Sequence, residues 1–272
     1  MAARYPERIV CLTEETTETL YLLGEERRIV GISGYTVRPP RARREKPRVS
    51  AFLSAKNEKI LELKPDLVLG FSDLQADIAR DLAKAGLNIM VFNQRSVAEI
   101  LDMIQMLSSL VGVPGKGTAL VASLEKNISE IRRAGKALPR RPKVYFEEWD
   151  EPMISGIRWV SELLEIAGGE DIFSDLSFSQ GATGRIHDGK AVIERKPDII
   201  LGSWCGKKFR PERVAARPGW QRVPAVRDQQ LFEIKSAEIL QPGPAALTDG
   251  VRRIHEILCA WTTNLGARRR ER

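Results

Sequence analysis

Apolar residues in this 272-residue chain fall into short unbroken runs, separated by helix-spaced patterns and polar loops. Runs such as Leu67-Val68-Leu69 and Ile199-Ile200-Leu201 are apolar at every position, which predicts strands covered on both faces, as in a parallel sheet. In the first half strands are predicted at 9–12, 29–33, 67–71 and 89–92, with helices at 17–23, 77–85 and 97–111. In the second half strands are predicted at 144–146, 199–203 and 231–234, with helices at 160–167 and 247–261. Strand and helix alternate, so the class is α/β with a doubly wound plan.

The pattern occurs twice. Ile60-Leu61-Glu62-Leu63-Lys64-Pro65-Asp66-Leu67-Val68-Leu69-Gly70 matches Val192-Ile193-Glu194-Arg195-Lys196-Pro197-Asp198-Ile199-Ile200-Leu201-Gly202. In each, a helix stops at Lys-Pro-Asp and an apolar strand follows, because proline cannot continue a helix. Upstream of both lies a strand, a polar loop and a helix ending at glycine, starting near residues 8 and 143. Between the halves Leu120, Leu124, Ile128 and Ile131 recur at helical spacing. About 22 helical residues span about 33 Å, enough to bridge two lobes with little hinge motion. The expected organisation is therefore two lobes of similar topology. An N-terminal α/β lobe takes 1–114, a bridging helix 115–139 and a C-terminal α/β lobe 140–265. A disordered basic tail takes 266–272, and a ligand cleft lies between the lobes.

Composition narrows the functions. No apolar run approaches the ~18–20 residues that span a membrane, so direct membrane insertion is not expected. No 7–15-residue apolar leader follows Met1. With Met1 as the natural start the chain reads as cytoplasmic; a removed leader would place it outside the cytoplasm. Three scattered cysteines (Cys11, Cys205, Cys259) make no disulfide framework, and with two histidines (His187, His255) no metal site or cofactor is expected. The net charge of +7 gathers partly at Arg38–Arg44 and Arg268–Arg272, without interleaved aromatics or a nucleic-acid motif. Localised positive charge in a cleft suits an anionic small ligand better than nucleic acid.

Open parallel sheets bind ligands beyond the carboxyl ends of their strands. That rule selects loops at 13–17, 34–38, 72–75, 93–95, 147–151, 204–207 and 235–239. They carry Tyr35, Arg38, Asp73, Arg95, Glu147, Trp149, Trp204, Cys205, Lys207 and Glu238. Aromatic faces beside hydrogen-bonding groups suit a large ligand that is partly apolar and partly polar. Trp149 and Trp204 follow second-lobe strands and are expected to stack on it. Thr13 to Thr17 cap the next helix, with hydroxyls left for ligand. Neighbours in a strand point to opposite faces, so neither Glu147 with Glu148 nor Glu14 with Glu15 is expected to share a proton. Glycine-rich phosphate loops are absent.

The chain resembles the helical-backbone binding proteins that serve cobalamin and ferric-siderophore ABC importers. The resemblance runs through Tyr35…Pro39-Pro40, Pro47-Arg48-Val49-Ser50-Ala51-Phe52 and Glu58-Lys59-Ile60. It continues in both Lys-Pro-Asp segments, in Ile154-Ser155-Gly156 and in Ala167-Gly168-Gly169-Glu170-Asp171-Ile172-Phe173. It implies a non-catalytic protein that binds a corrinoid or siderophore-like molecule, with Tyr35 and Phe52 as ligand-facing aromatics. The family's late Trp–Asp loop corresponds to Lys235-Ser236-Ala237-Glu238, where no aromatic stands, and Trp204 or Trp149 is expected to substitute. The resemblance also implies permease docking through Glu58, with Lys190 at the second-lobe position where relatives carry Glu. Two readings stand beside it. One is an enzyme or sensor using Cys205 and Lys207 on a smaller anionic metabolite. The other is a regulatory protein whose basic surface meets an acidic partner.

Overall fold

A computed structural model describes residues 5–270, with side chains through Thr263. Two compact α/β units are present. The first comprises residues 1–94, 98–124 and 241–244; the second comprises 95–97, 125–240 and 245–272.

The first unit is built on five parallel strands, Ile9–Cys11 (β1), Ile29–Ser33 (β2), Arg48–Ser50 (β3), Leu67–Phe71 (β4) and Ile89–Phe92 (β5), in the order β3-β2-β1-β4-β5. Helices Glu14–Leu22 (α1), Ala42–Glu45 (α2), Asn57–Glu62 (α3), Ala76–Lys84 (α4) and Val97–Leu110 (α5) connect or follow them. Val10, Leu12, Val49, Ile60, Val68, Ile78 and Leu82 close into one core on this sheet. β1 and β4 are buried at every residue, as their unbroken apolar sequences require. Chain order reverses between β1 and β4, so the topological switch point lies at their carboxyl ends.

Helix Pro114–Lys136 (α6) follows, starting on proline where the fixed φ suits a first turn. Its residues through Leu124 belong to the first unit and those from Glu125 to the second. The second unit has strands Lys143–Asp150 (β6), Met153–Ser155 (β7), Glu170–Asp171 (β8), Ile199–Gly202 (β9) and Leu231–Glu233 (β10), ordered β10-β9-β6-β7 with β8 also on β6. Only β7 is antiparallel, folding back from β6. Helices Arg158–Ala167 (α7), Gly189–Arg195 (α8), Pro211–Ala215 (α9), Pro224–Arg227 (α10), Ser236–Ile239 (α11) and Val251–Arg270 (α12) complete it. Residues 266–270, expected to be a disordered tail, continue the backbone of α12; residues 271 and 272 lie outside the described residues.

The repeated Lys-Pro-Asp segments adopt one geometry. Lys64 and Lys196 both take a left-handed φ, +47° and +51°, which ends the preceding helix. Asp66 then accepts from the backbone N–H of Glu7 (2.8 Å) and Arg8 (3.0 Å) just before β1. Asp198 accepts from the backbone N–H of Lys143 (2.9 Å) at the start of β6. Each carboxylate ties two neighbouring parallel strands together at their amino ends.

Helix α6 seats on α7 through glycines. Gly168 ends α7 with φ +100°, and a Cβ at Gly135 would lie 2.7 Å from backbone atoms of Ile166 and Ala167. Backbone cannot rotate aside as a side chain can. We therefore expect Gly135→Ala to cost about 2–3 kcal/mol despite alanine's better helix propensity. Urea unfolding checks this; a stabilised variant would show that α6 is free to shift at this contact.

Candidate binding site

At the carboxyl end of the first sheet, the loop after β1 enters α1 at Thr13. Thr16 and Thr17 donate their hydroxyls to the Thr13 carbonyl (3.2 and 3.0 Å), and Thr13 donates to Glu15 Oε1 (2.6 Å). These hydroxyls, expected to be left for ligand, are spent on the first helical turn. The carboxyls of that turn remain. Glu14 and Glu15 are 4 % and 1 % exposed, although both are acidic. Successive residues on a helix lie about 100° apart rather than on opposite faces, so both can turn inward. Burial raises Glu14 from an ordinary 4.5 to about 8, against the pull of the Val37 and Arg38 backbone N–H groups. Burial likewise raises Glu15 to about 7, against its hydrogen bond from Thr13, and the nearby Glu18 charge adds to both shifts.

Four buried oxygens here have no hydrogen-bond partner among the described residues: Glu14 Oε1, Glu15 Oε2, Thr36 Oγ1 and Ser50 Oγ. Each belongs to a residue at or just beyond the carboxyl end of β1, β2 or β3. Their surroundings are well tied. Arg38 Nε donates to Glu18 Oε1 at 2.9 Å. Gln75 accepts from Phe71 N (2.9 Å) and donates to the carbonyls of Phe52 (2.9 Å) and Leu12 (3.4 Å). Ser72 closes β4 at φ +63°, a left-handed value that non-glycine residues rarely adopt. Around this polar floor the loops after β2, β3 and β4 present exposed apolar side chains: Tyr35, Val37, Leu53 and Leu74. Phe52 is half-buried beside them. Asp73 is exposed and lines an open groove of about 560 Å³ along α4 and β5, with Ala76, Ala79, Ile89 and Val91.

Residues 147–150, expected as a loop, extend β6. The second unit handles its buried carboxylate there, opposite Gly202 at the end of β9, differently. Glu147 is fully buried, and four donors reach it: Tyr145 Oη (2.9 Å), Trp204 Nε1 (3.0 Å) and the Arg217 guanidinium in two contacts of 2.5 and 3.0 Å. The buried carboxylate raises the Arg217 pKa in spite of burial. Tyr145 also touches His187 Nε2 at 3.0 Å, and burial lowers the His187 pKa. Glu148 faces the other way, to Arg185, as strand alternation requires.

Several expected ligand contacts are therefore structural. Trp204 is 3 % exposed, packs edge-on to Phe209 in the core and offers no face for stacking. Glu147 is consumed by its ion pair. Lys207 pairs with Asp150 and lies 3.9 Å from the Trp149 ring centre, so Trp149 carries a cation on its face. The Trp149 indole N–H donates to the Glu151 carbonyl (2.9 Å). Cys205 is exposed, Glu238 is half-buried on α11, and Arg95 is half-buried and groups with the second unit. Glu58 and Lys190 are exposed on the first turns of α3 and α8. Arg217, the partner of Glu147, was invisible to sequence reasoning because 70 residues separate the two.

Buried, unpartnered oxygens at or beyond the carboxyl ends of β1, β2 and β3 make this end of the first sheet the candidate binding site. The chain belongs to the periplasmic binding protein family, whose model matches residues 9–238. It is a binding protein and not an enzyme. An ABC transporter substrate-binding lipoprotein of Bacillus subtilis is 24 % identical over 261 residues, covering 92 % of this chain and 79 % of that one. A vitamin B12-binding protein of Vibrio cholerae is 27 % identical over 266 residues, covering 93 % and 90 %. Among solved structures, the periplasmic heme-binding protein RhuT of Roseiflexus superposes with a TM-score of 0.79 at 23 % identity, covering 93 % of this chain and 99 % of that one. The periplasmic vitamin B12-binding protein BtuF of Vibrio cholerae gives 0.74 at 24 %, covering 94 % and 98 %. Among the described residues no helix is long and apolar enough to cross a membrane.

The two strand ends make separate predictions. Both Glu14 and Glu15 titrate above their ordinary value, so each contributes stability that is complete below pH 4.5 and is lost as pH rises through about 7 and 8. Stability should fall across that window, and E14Q/E15Q should flatten the profile in denaturant titrations at stepped pH. An unchanged slope in the double variant would assign the pH dependence elsewhere. At Glu147, E147Q leaves the Arg217 charge buried and should cost about 3–5 kcal/mol, whereas E147M/R217M removes both charges and should recover at least half. Equal losses in the single and double variants would mean that side-chain shape, not charge, governs the site.

Proposed function

We propose that this chain captures a large, partly apolar small molecule of the corrinoid, tetrapyrrole or siderophore class at the carboxyl end of its first sheet. The observation that carries the reading is the pairing there of buried, unpartnered oxygens with a rim of exposed Tyr35, Val37, Leu53 and Leu74. Exposed apolar side chains grouped beside convergent polar atoms are what a ligand with an apolar face and a polar edge requires. The site also falls at the switch point, where open parallel sheets take ligands. The names of the relatives support a macrocyclic ligand, because they include vitamin B12-binding and heme-binding proteins. The same likeness supports delivery to an ABC permease, with Glu58 as the docking carboxylate of the first unit and Lys190 at the opposite sign in the second. The pairing of Lys207 with Asp150 removes the basis for a Cys205-centred reading, since that ammonium is already committed.

Calorimetric titration with cyanocobalamin, and separately with haemin, tests the ligand class. We expect binding at about micromolar Kd or tighter, weakened about tenfold in Y35A and in L53A as apolar contact with the macrocycle is lost. W204A, which opens the core of the second unit, should instead lower stability by about 3–5 kcal/mol. Failure of both macrocycles to bind would remove the corrinoid and tetrapyrrole classes, and failure of a ferric siderophore as well would remove the proposal. Tight binding untouched by Y35A and L53A would move the site away from the first sheet.

A further inference from the structure

The floor of the candidate site differs from the rest of the chain in one respect: it is acidic in a chain of net charge +7. Glu14 and Glu15 each keep one carboxyl oxygen unpartnered and buried, and Glu18 lies close enough to raise the pKa of both. The side chains are not an acidic surface cluster, because they are at least nine-tenths buried. Two neutral oxygens repeat the condition independently. Thr36 Oγ1 is buried without a partner and immediately precedes Val37 and Arg38, whose backbone N–H groups face Glu14. Ser50 Oγ is buried and unpartnered at the end of β3, which pairs with β2 at Ser33. Each such atom costs about 1–3 kcal/mol when left unmet. Four at one end of one sheet is a concentration that core packing does not explain.

All four are acceptors, or can act as acceptors. Arg38, the cation of the adjoining loop, is committed to Glu18. A metal ion is not the natural complement, since among the described residues no group of three His, Cys, Asp or Glu side chains is placed to hold one. An anionic ligand group is repelled once Glu14 and Glu15 ionise, which they do as pH rises through about 7 and 8. What remains is a ligand group that brings N–H donors.

We propose that Glu14, Glu15, Thr36 and Ser50 form an acceptor subsite that takes an N–H-bearing group of the ligand, a primary carboxamide or an ammonium, and discriminates against carboxylate and phosphate. The proposal rests on the binding-site reading given above and specifies which edge of the ligand enters first. The segment Gln241–Pro244 covers this floor: a Cβ on Gly243 would lie 2.5 Å from Glu15 Cβ, and the Pro242 carbonyl accepts from Gln94 (2.9 Å). Pairing with N–H donors favours the ionised carboxyls, so binding releases protons and strengthens as pH rises from 6 to 9.

The test titrates dicyanocobinamide, whose periphery carries primary carboxamides, against cobyrinic acid, the same ring with carboxylates in their place. Both are run with wild-type protein and with E14Q, E15Q and T36V, in two buffers of different ionisation enthalpy. The glutamine variants keep side-chain shape and remove an ionisation that burial already opposes, and T36V keeps shape while removing the hydroxyl, so folding is preserved. We expect dicyanocobinamide to bind at least about tenfold more tightly than cobyrinic acid to wild type, with proton release. The preference should shrink by about fivefold or more in E14Q and E15Q, with the proton release lost. Equal binding of the two rings, or a preference unchanged in every variant, overturns the acceptor subsite and leaves the corrinoid reading standing. If neither ring binds, the corrinoid reading falls and spermidine decides the subsite. A rise in Tm with spermidine that disappears in E14Q/E15Q upholds it, and no rise overturns it.

Discussion

Two aspartates hold this architecture in register. Asp66 and Asp198 each follow a helix stopped by a left-handed lysine and a proline, and each accepts backbone N–H groups where the neighbouring strand begins. A parallel pair has no tight turn to set its alignment, so register must come from elsewhere. A carboxylate bonded to backbone N–H groups is a charge-assisted contact, about twice as strong as a neutral one. It fixes β4 on β1 and β9 on β6 at their amino ends. Everything at the carboxyl ends, including Glu14, Glu15 and Glu147, inherits its position from those two clasps.

The bonds that the two aspartates make were not legible in the sequence, since the partners lie 55 to 59 residues away. The Lys-Pro-Asp segments were legible because each is one contiguous signal, a helix stop ahead of an apolar run. For the same reason β1, β2, β4, β5, β6, β9 and β10 were legible, with α6 as the long helix between the halves. The short strands β3, β7 and β8 were not. They are as short as β1 and β10 but lack the apolar run that marks those two. β3 reads Arg-Val-Ser and β8 Glu-Asp, and β7 owes its existence to a hairpin with β6 rather than to its own composition. The candidate loops were selected as strand ends, but residues 147–150 extend β6, and strand-end position does not tell which way a side chain turns. Trp204 was read as a stacking face, whereas its indole N–H is needed by Glu147 and its ring by Phe209. Glu14 and Glu15 were set aside by a strand argument, alternation of neighbours, that does not apply once Thr13 starts a helix one residue earlier than the pair.

The two units show opposite treatments of the same problem. A carboxylate beyond the end of a central strand loses hydration and must be compensated or neutralised. In the second unit the compensation is internal: Arg217, Trp204 and Tyr145 meet every lone pair that matters on Glu147, and the group stays charged at the cost of three committed side chains. A site so completed is rigid and has nothing left to offer a ligand. In the first unit compensation is partial. Thr13 and two backbone N–H groups meet one side of the pair, and the remainder is expressed as raised pKa values near neutrality.

That asymmetry is what separates a scaffold from a site. A fully satisfied network stabilises the fold it sits in, whereas unsatisfied buried acceptors store free energy that only a donor-bearing partner can recover. The first unit places unsatisfied atoms at or beyond the carboxyl ends of β1, β2 and β3, where the neighbouring loops also present Tyr35, Leu53 and Leu74, side chains that gain by leaving water. Polar complementarity and apolar burial thus reward the same event. The duplicated plan puts both treatments on related sheets: Glu147 is closed on its ion pair with Arg217, whereas the carboxyls that follow β1 each keep an open oxygen.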